Sequence, residues 1–270
     1  MQFPVVNDKL AAQIRQSEID FLASRIESIA ERDGNPEGVE IRSFGKATAF
    51  YIRTMPWSLF NSVKGLTAAE EDQIGEWTRF YCERGRDFQV DVDPHHCSPG
   101  LLAALRANGL GQTGFHSVLY GLPLPERPTP PSNIEIIEIR EQSHFDAYAE
   151  IHCLGSGMPL TAKPHFINNN IGLLNRSGWK LFLALLDNVP AGVAAMHIGG
   201  TVASCALAAT APDFRNRGIQ TALLRQRLYT AHEAGCRLVA AQAAFGSVSQ
   251  NNMERTGFRI AWTRSIWSLI

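Results

Sequence analysis

The stretch APDFRNRGIQTALLRQRL, residues 211–228, places positive charge and a glycine directly before an amphipathic pattern. Arg215 and Arg217 precede Gly218, and a predicted helix begins at Ile219. The first turn of a helix has unpaired N–H groups and a partial positive charge, and a glycine lets an anion approach the backbone closely. Arginine side chains add charged hydrogen-bond donors. This combination predicts a site for phosphate groups.

Two further elements would position such a site. The predicted helix carries one apolar stripe that would fix it to a core, formed by Ile219, Leu223, Leu224, Leu228 and Ala231. Before the helix, VASCALAAT (202–210) is almost entirely small or apolar, and RLVAAQAAF (237–245) after it has the same character. Two strands of this kind can diverge and offer backbone edges to an amide-bearing ligand, which then bonds like an added strand.

Residues 210–224, TAPDFRNRGIQTALL, resemble the acyl-CoA-binding motif of the GNAT acetyltransferase superfamily. That motif has Arg or Gln, two residues, Gly, one residue, and then Gly or Ala. Arg215, Gly218 and Gln220 occupy these places, so the last position departs from the usual small residue. Downstream, SQNNMERTGF (249–258) resembles the closing helix and Gly-Phe of the family. The resemblance extends over 134–270 in the order of elements, and its specific motifs lie within 204–258.

This resemblance implies a mixed α/β (α+β) fold, with a mostly antiparallel twisted sheet flanked by helices. It also implies acetyl-CoA as co-substrate and no metal. The residues that it assigns to CoA are Ala208, Ala209 and Thr210 at the strand end, and Arg215, Asn216, Arg217, Gly218, Ile219, Gln220 and Thr221 at the helix start. The alternative interpretation is a solvated helix start with two arginines beside an alanine-rich strand.

The catalytic group is left unassigned by the sequence. Acetyl transfer needs a neutral amine, so a base or a water relay should take its proton, and a backbone N–H on the splayed strand would polarise the acetyl carbonyl. Where the family often has a Glu, this chain has Ser204 and Cys205, and Met253 replaces the usual Tyr. Because a thiol can leave as thiolate, the missing Tyr is tolerable. The weak candidates are His197, Cys205 and Glu150, each of which has an ordinary structural interpretation as well.

Composition narrows the functional classes. The 270 residues have a net charge of −1, which provides no general attraction for nucleic acid. Neither a secretory signal nor an apolar run long enough for a membrane helix is present. Five scattered cysteines suit reduced thiols, so we expect a cytoplasmic protein, and the HHC run at 95–97 lacks a partner pair at zinc-like spacing. Whether the chain forms a homodimer is left open.

A proline-rich segment predicts that the chain has two domains. GLPLPERPTPPSN (121–133) has five prolines and would form a linker between a degenerate GNAT-like domain at 1–120 and a GNAT acetyltransferase domain at 134–270. The first domain would be an internal duplicate of the second, although any α/β chain shows a similar order and spacing of helices and strands. Its matching turn, VKGLTAAEED, is acidic where a diphosphate would lie, which predicts that CoA is excluded there.

Local signals give more detailed expectations within the second domain. Ser143 is the predicted N-cap of the helix 143–155, and a second helical stretch ends at Gly178. The pairs Asp187-Asn188 and Gly199-Gly200 predict turns between three strands.

Three functions are consistent with these residues. The first is an acetyl-CoA-dependent N-acetyltransferase that acts on the amine of a small molecule by direct attack in a ternary complex. The second is a non-catalytic acyl-CoA-binding or regulatory protein, suggested by the missing Glu and Tyr. The third is acetylation of a macromolecule, either a protein amine or charged transfer RNA, and the near-neutral charge weighs against RNA.

Overall fold

The computed structural model describes residues 3–270, which form helices and strands along the whole chain. The first two residues of the predicted N-terminal domain lie outside the described residues. In chain order, the elements are α1 (Asp8–Ala30), β1 (Val39–Phe44), β2 (Ala47–Ile52), β3 (Ser62–Lys64), α2 (Ile74–Cys82), β4 (Gln89–Val92), α3 (Pro99–Ala107), β5 (Leu110–Gly121), β6 (Ile134–Ile139), α4 (Gln142–Gly155), α5 (Lys163–Asn170), β7 (Trp179–Leu186), β8 (Val189–Gly199), β9 (Val202–Thr210), α6 (Ile219–Glu233), β10 (Leu238–Ala244), α7 (Val248–Arg255) and β11 (Arg259–Leu269).

The elements form two units, and neither is a continuous half of the chain. The N-terminal unit consists of Val6–Val118, Ala243–Phe245 and Ile260–Ile270. The C-terminal unit consists of residues 3–5, Leu119–Gln242 and Gly246–Arg259. Most of the last strand, β11, therefore belongs to the N-terminal unit.

In the N-terminal unit the strand order is β1-β2-β3-β4-β11-β5. The strands β3 and β4 are parallel and are linked through α2, while β4 pairs antiparallel with β11, Val92 opposite Ser265. One apolar core includes the fully buried Trp77 and Tyr81, and a second lies beneath α1 around Ile26. Burial of these large side chains is the main favourable contribution to folding.

In the C-terminal unit the strand order is β10-β9-β8-β7-β6. The strands β6 to β9 form an antiparallel meander. Asp187 and Asn188 connect β7 to β8 with φ of 49° and 65°, as a type I′ hairpin turn requires. The helix α6 then crosses to β10, which runs parallel to β9. The mixed, mostly antiparallel fold class is confirmed.

The prediction for Ser143 is wrong. The helix α4 begins at Gln142, and Glu141 is its N-cap residue, without a side-chain cap bond. The Ser143 hydroxyl donates to Glu141 Oε2 at 3.3 Å instead of reaching a helix N–H group. The chain enters the helix one residue earlier than expected, which places Ser143 inside the first turn.

The predicted second helix is shorter than expected. The helix α5 ends at Asn170, and only a 3₁₀ turn, Ile171–Leu174, follows it. The run of three asparagines explains the early end, because asparagine favours caps and turns over helix interiors. Gly178, with a φ of 80°, marks the turn into β7 and not a helix end.

Candidate functional site

The turn between β9 and α6 leaves a helix start without a cap. Asn216 and Gly218 have φ of 61° and 80°, in the left-handed region that these two residue types tolerate best. Gly218 is the N-cap residue of α6, and no side chain within residues 3–270 caps the first turn. The first N–H groups of a helix have no intrahelical partner. They are therefore available here to an external acceptor.

The two arginines of the turn have different surroundings. Arg215 Nη2 donates to the Gly155 carbonyl at 3.1 Å, which ties the turn to the end of α4. Arg217 is exposed, and it forms no ion pair with any residue in the part of the chain that the structure describes. Asn216 beside it is exposed as well. Arg217 is thus the arginine of this turn that is free to contact a bound anion.

The structure gives a reason for Gln220, which stands where the resemblance implies a small residue. Gln220 Nε2 donates to Thr210 Oγ1 at 2.8 Å. This bond joins the first turn of α6 to the last residue of β9. Ile219 is buried between them, whereas Thr221 is partly exposed. The glutamine therefore fixes the helix start relative to the strand.

The strands β9 and β10 pair over only part of their length. The register covers Val202 to Ser204 against Leu238 to Ala240, although β9 continues to Thr210. Beyond Ser204, β9 therefore has a backbone edge that is not paired to β10. Ala208 at this edge is exposed, while Ala209 and Thr210 are buried. An extended ligand with amide groups could bond to such an edge.

A β-bulge interrupts the same segment of β9. Val193 faces Ala209 and Ala195 faces Ala206, so Leu207 and Ala208 together face a single residue of β8. Leu207 has a φ of 48°, which is unusual for a residue with a side chain. Bulges leave a ladder position unpaired and redirect backbone groups, often next to active sites.

The three candidate bases lie in different surroundings. His197 lies opposite Ser204 and contacts the Trp179 ring at 5.3 Å, about 13 Å along the strand from Ala208. Cys205 is buried, and this burial raises the pKa of its thiol. Glu150 is half exposed and accepts a hydrogen bond from Lys163 Nζ at 2.9 Å.

A cavity of about 500 Å³ adjoins the helix start. It extends from Gly218 along α6 to Arg225 and is bordered on the other side by Arg127 and the prolines of 128–131. Both arginines are exposed. The cavity therefore provides room and two further cations beside the uncapped helix start.

Residues 3–270 contain neither a cluster of metal ligands nor a membrane-spanning helix. No group of three or more His, Cys, Asp or Glu side chains is arranged to hold a metal ion. Within the same residues, no helix has the length and apolar character needed to cross a membrane.

Comparison with known proteins identifies the region around this turn. Residues 145–258 match the model of the acetyltransferase (GNAT) family. This segment of the C-terminal half is similar to the GNAT family. The match contains β9, the uncapped start of α6 and the following β10. This family match supports an acyltransferase activity. No curated protein sequence matches the chain.

Solved structures show the same fold over nearly the whole chain. A GCN5-related N-acetyltransferase from Kribbella flavida has a TM-score of 0.67 at 15% identity, and the alignment covers 96% of this chain and 95% of that one. A tandem GNAT protein from the clavulanic acid biosynthesis pathway has a TM-score of 0.60 at 14% identity, with 98% and 96% covered. A GCN5-related N-acetyltransferase from Sphaerobacter thermophilus has a TM-score of 0.61 at 13% identity, with 90% and 84% covered. These likenesses show that the fold is shared over nearly the whole chain.

Sequence reasoning missed two residues that contact the bulge. Tyr148 donates its hydroxyl to the Leu207 carbonyl, and Arg227 donates to the Ala195 carbonyl on the neighbouring strand. Arg227 carries a detectable signal, because an arginine on the apolar stripe of a helix requires a buried partner. Tyr148 carries none, since aromatic residues are common on buried helix faces.

Proposed function

We propose that the protein transfers the acetyl group of acetyl-CoA to the amine of a small molecule, by direct attack in a ternary complex. The observation that carries this proposal is the uncapped start of α6 at Gly218, directly after a strand that parts from its neighbour. A helix start of this kind favours an anion, and the adjoining strand edge suits an amide-bearing arm. Acetyl-CoA combines both groups in one molecule.

The site residues divide between the two ends of this ligand. The N–H groups after Gly218, with the Arg217 guanidinium, would hold the diphosphate. The backbone from Ala208 to Thr210 would bond the pantetheine amides. The cavity bordered by Arg127 and Arg225 would receive the phosphorylated nucleotide end.

The reaction forms one C–N bond and breaks one C–S bond. The neutral amine attacks the thioester carbonyl carbon, and the oxygen gains negative charge that a backbone N–H of the bulge would stabilise. CoA leaves as thiolate, and the amine loses one proton. Cys205 is unsuited to accept this proton, because its thiol is buried and its pKa is raised. We assign no side chain as the base.

The deciding experiment combines binding with a panel of acceptors. Calorimetry should show one acetyl-CoA site per chain. A broad panel of small amines should include one that causes release of free thiol and whose mass rises by about 42 Da, the mass that one acetyl group adds. Peptide amines serve as the second panel. Absence of acetyl-CoA binding would overturn the proposal, and binding without transfer to any amine would establish a non-catalytic binder.

A further inference from the structure

The bulge of β9 contains a strained residue that something must hold in place. Leu207 has a φ of 48°, and its side chain makes this left-handed backbone unfavourable. Such conformations persist only where surrounding contacts determine them, and they concentrate at functional sites. The contacts that hold Leu207 are therefore relevant to the reaction.

Tyr148 on α4 makes the decisive contact. Its hydroxyl donates to the Leu207 carbonyl oxygen at 3.0 Å. The side chain is fully buried, and its ring is stacked on Phe145 at 5.4 Å with an angle of 8° between the planes. Phe166 packs near the same ring at 6.3 Å. A ring held in this way presents its hydroxyl in one position.

The opposite strand is held as well. Arg227 is 1% exposed, and its Nη1 donates to the Ala195 carbonyl at 3.4 Å. Ala195 pairs with Ala206 directly beside the bulge. The irregular register is thus fixed by two contacts: a side chain of α4 holds β9, and a side chain of α6 holds β8.

The geometry of a peptide bond transmits the effect of Tyr148. The carbonyl of Leu207 and the N–H of Ala208 belong to one planar, trans peptide unit, so they point in opposite directions. A hydroxyl that fixes the carbonyl also fixes the N–H. Ala208 lies at the exposed part of the strand edge, where the acetyl group of the bound thioester is expected.

We propose that Tyr148 is a positioning residue for acetyl transfer: through the Leu207 carbonyl it aims the Ala208 N–H at the thioester carbonyl. This inference rests on the proposed function. A donor already aimed at the developing negative charge lowers the barrier without strengthening the binding of the ground state.

The substitution Tyr148→Phe removes only the hydroxyl. We expect kcat to fall by about tenfold or more, while the Kd for acetyl-CoA changes by less than about twofold. The matched control is Tyr81→Phe in the N-terminal unit, since the Tyr81 hydroxyl is also buried, 2.7 Å from the Phe50 carbonyl oxygen. Both variants should lose similar thermal stability, but Tyr81→Phe should keep its kcat.

A rescue separates positioning from a structural role. Glycine adopts a positive φ without strain, so Leu207→Gly in the Tyr148→Phe background should recover part of kcat. If Tyr148 only stabilised the fold, removal of a further side chain would lower kcat or leave it low. An unchanged kcat in Tyr148→Phe, an equal loss in both Tyr→Phe variants, or absence of rescue would overturn the inference.

A spectroscopic readout does not depend on finding the acceptor. With ¹³C-labelled acetyl-CoA, the infrared carbonyl band should shift to lower frequency on binding and return toward the free value in Tyr148→Phe. An unshifted band in the unsubstituted protein would overturn the inference and leave acetyl-CoA binding intact. Absence of any binding would overturn the proposed function as well, so the two failures are distinguishable.

Discussion

The two units contain the same local element, a left-handed glycine before a helix, but treat its N–H groups differently. In the C-terminal unit Gly218 precedes a first turn without a side-chain cap. In the N-terminal unit Gly65, with a φ of 78°, precedes Thr67, and Glu70 closes a capping box on Thr67. Glu70 also accepts from the Lys46 N–H at 2.9 Å. Side chains of the protein therefore satisfy N–H groups at the start of this 3₁₀ turn, whereas no side chain of residues 3–270 does so at the start of α6.

The parallel strands beside these turns differ in the same direction. In the N-terminal unit Lys64 on β3 forms a buried ion pair with Asp91 on β4. In the C-terminal unit the paired segments of β9 and β10 carry only small and aliphatic residues, among them Ser204 and Ala240. One strand pair is bridged by its own charges, and the other has no charged side chain in its paired segments. In similar surroundings, one unit satisfies its donors with its own side chains, and the other leaves them available to the proposed ligand.

The largest expected effect concerns the buried charges of the N-terminal unit. Arg264 is 3% exposed and donates to Glu18 Oε2 and to Asp91 Oδ2, both at 2.7 Å. Arg264→Met removes one of the two buried cations that pair with these carboxylates and leaves only Lys64, so we expect the free energy of unfolding to fall by about 3–5 kcal/mol. Urea unfolding followed by tryptophan fluorescence measures this. Arg259→Met, at an exposed arginine of the same strand, is the control, and an equal change in both variants would contradict the prediction.

Gly218→Glu would give the C-terminal helix start an acidic group like that of the other unit. We expect the affinity for CoA to fall by about 100-fold or more, roughly 2.7 kcal/mol, because a carboxylate repels the diphosphate. The control is Gly235→Glu, where φ is 74° and the added side chain meets open space at the other end of α6. Calorimetry on both variants tests this, and equal affinities would place the diphosphate elsewhere.

The local parts of this architecture were predictable from the sequence. Gly218, with its positive φ, and the apolar stripe of α6 are short-range patterns. The acidic turn at Glu70 was recognised as well, although its capping box depends on one rotamer. These features involve residues only a few positions apart.

The long-range parts were not predictable. The hairpin of β1 and β2 is local but was missed as well, because the almost entirely apolar β2 lacks the alternation that the start of β1 shows. The pairing of β11 with β4 joins residues more than 170 positions apart, which local periodicity does not encode. The bulge at Leu207 follows from the register of two strands, so the role of Tyr148 was hidden for the same reason.

A smaller effect is expected when the cap of the N-terminal unit is weakened. Burial raises the pKa of the Glu70 carboxyl, but hydrogen bonds from the Lys46 N–H and from Thr67 outweigh it and hold the pKa below its usual 4.5. Glu70→Gln should lower the free energy of unfolding by about 1–2 kcal/mol at neutral pH. Calorimetry should still show one CoA per chain, and a second site would break the comparison.

The pH dependence of this difference has a definite sign. Because the pKa of Glu70 is lowered in the folded state, its contribution to stability is fully present above pH 4.5 and is lost as the pH falls through the folded-state pKa. The unfolding curves of the unsubstituted protein and of Glu70→Gln should therefore converge below pH 4.5. Curves that stay equally far apart into strong acid would show that the ionised carboxylate is not the stabilising group.

Arg217→Ala should have the smallest effect of the series. We expect the affinity for CoA to fall by about tenfold, roughly 1.4 kcal/mol, and the affinity for a pantetheine-only analogue to stay unchanged. Arg237→Ala removes another exposed arginine of the same unit and serves as the control for net charge. Equal losses for both ligands would show that Arg217 does not face the diphosphate.

The membership of β11 in the N-terminal unit has a consequence for biosynthesis. A ribosome makes residues 6–118 long before residues 260–270, yet β4 finds its antiparallel neighbour only in the later segment. Until the ribosome has made β11, the β4 edge of the nascent chain has no antiparallel neighbour. The Asp91 carboxylate likewise lacks its hydrogen bond from the Arg264 guanidinium. Closure of so long a loop is slow, so chaperone dependence and the yield of refolding should follow the arrival of this last strand.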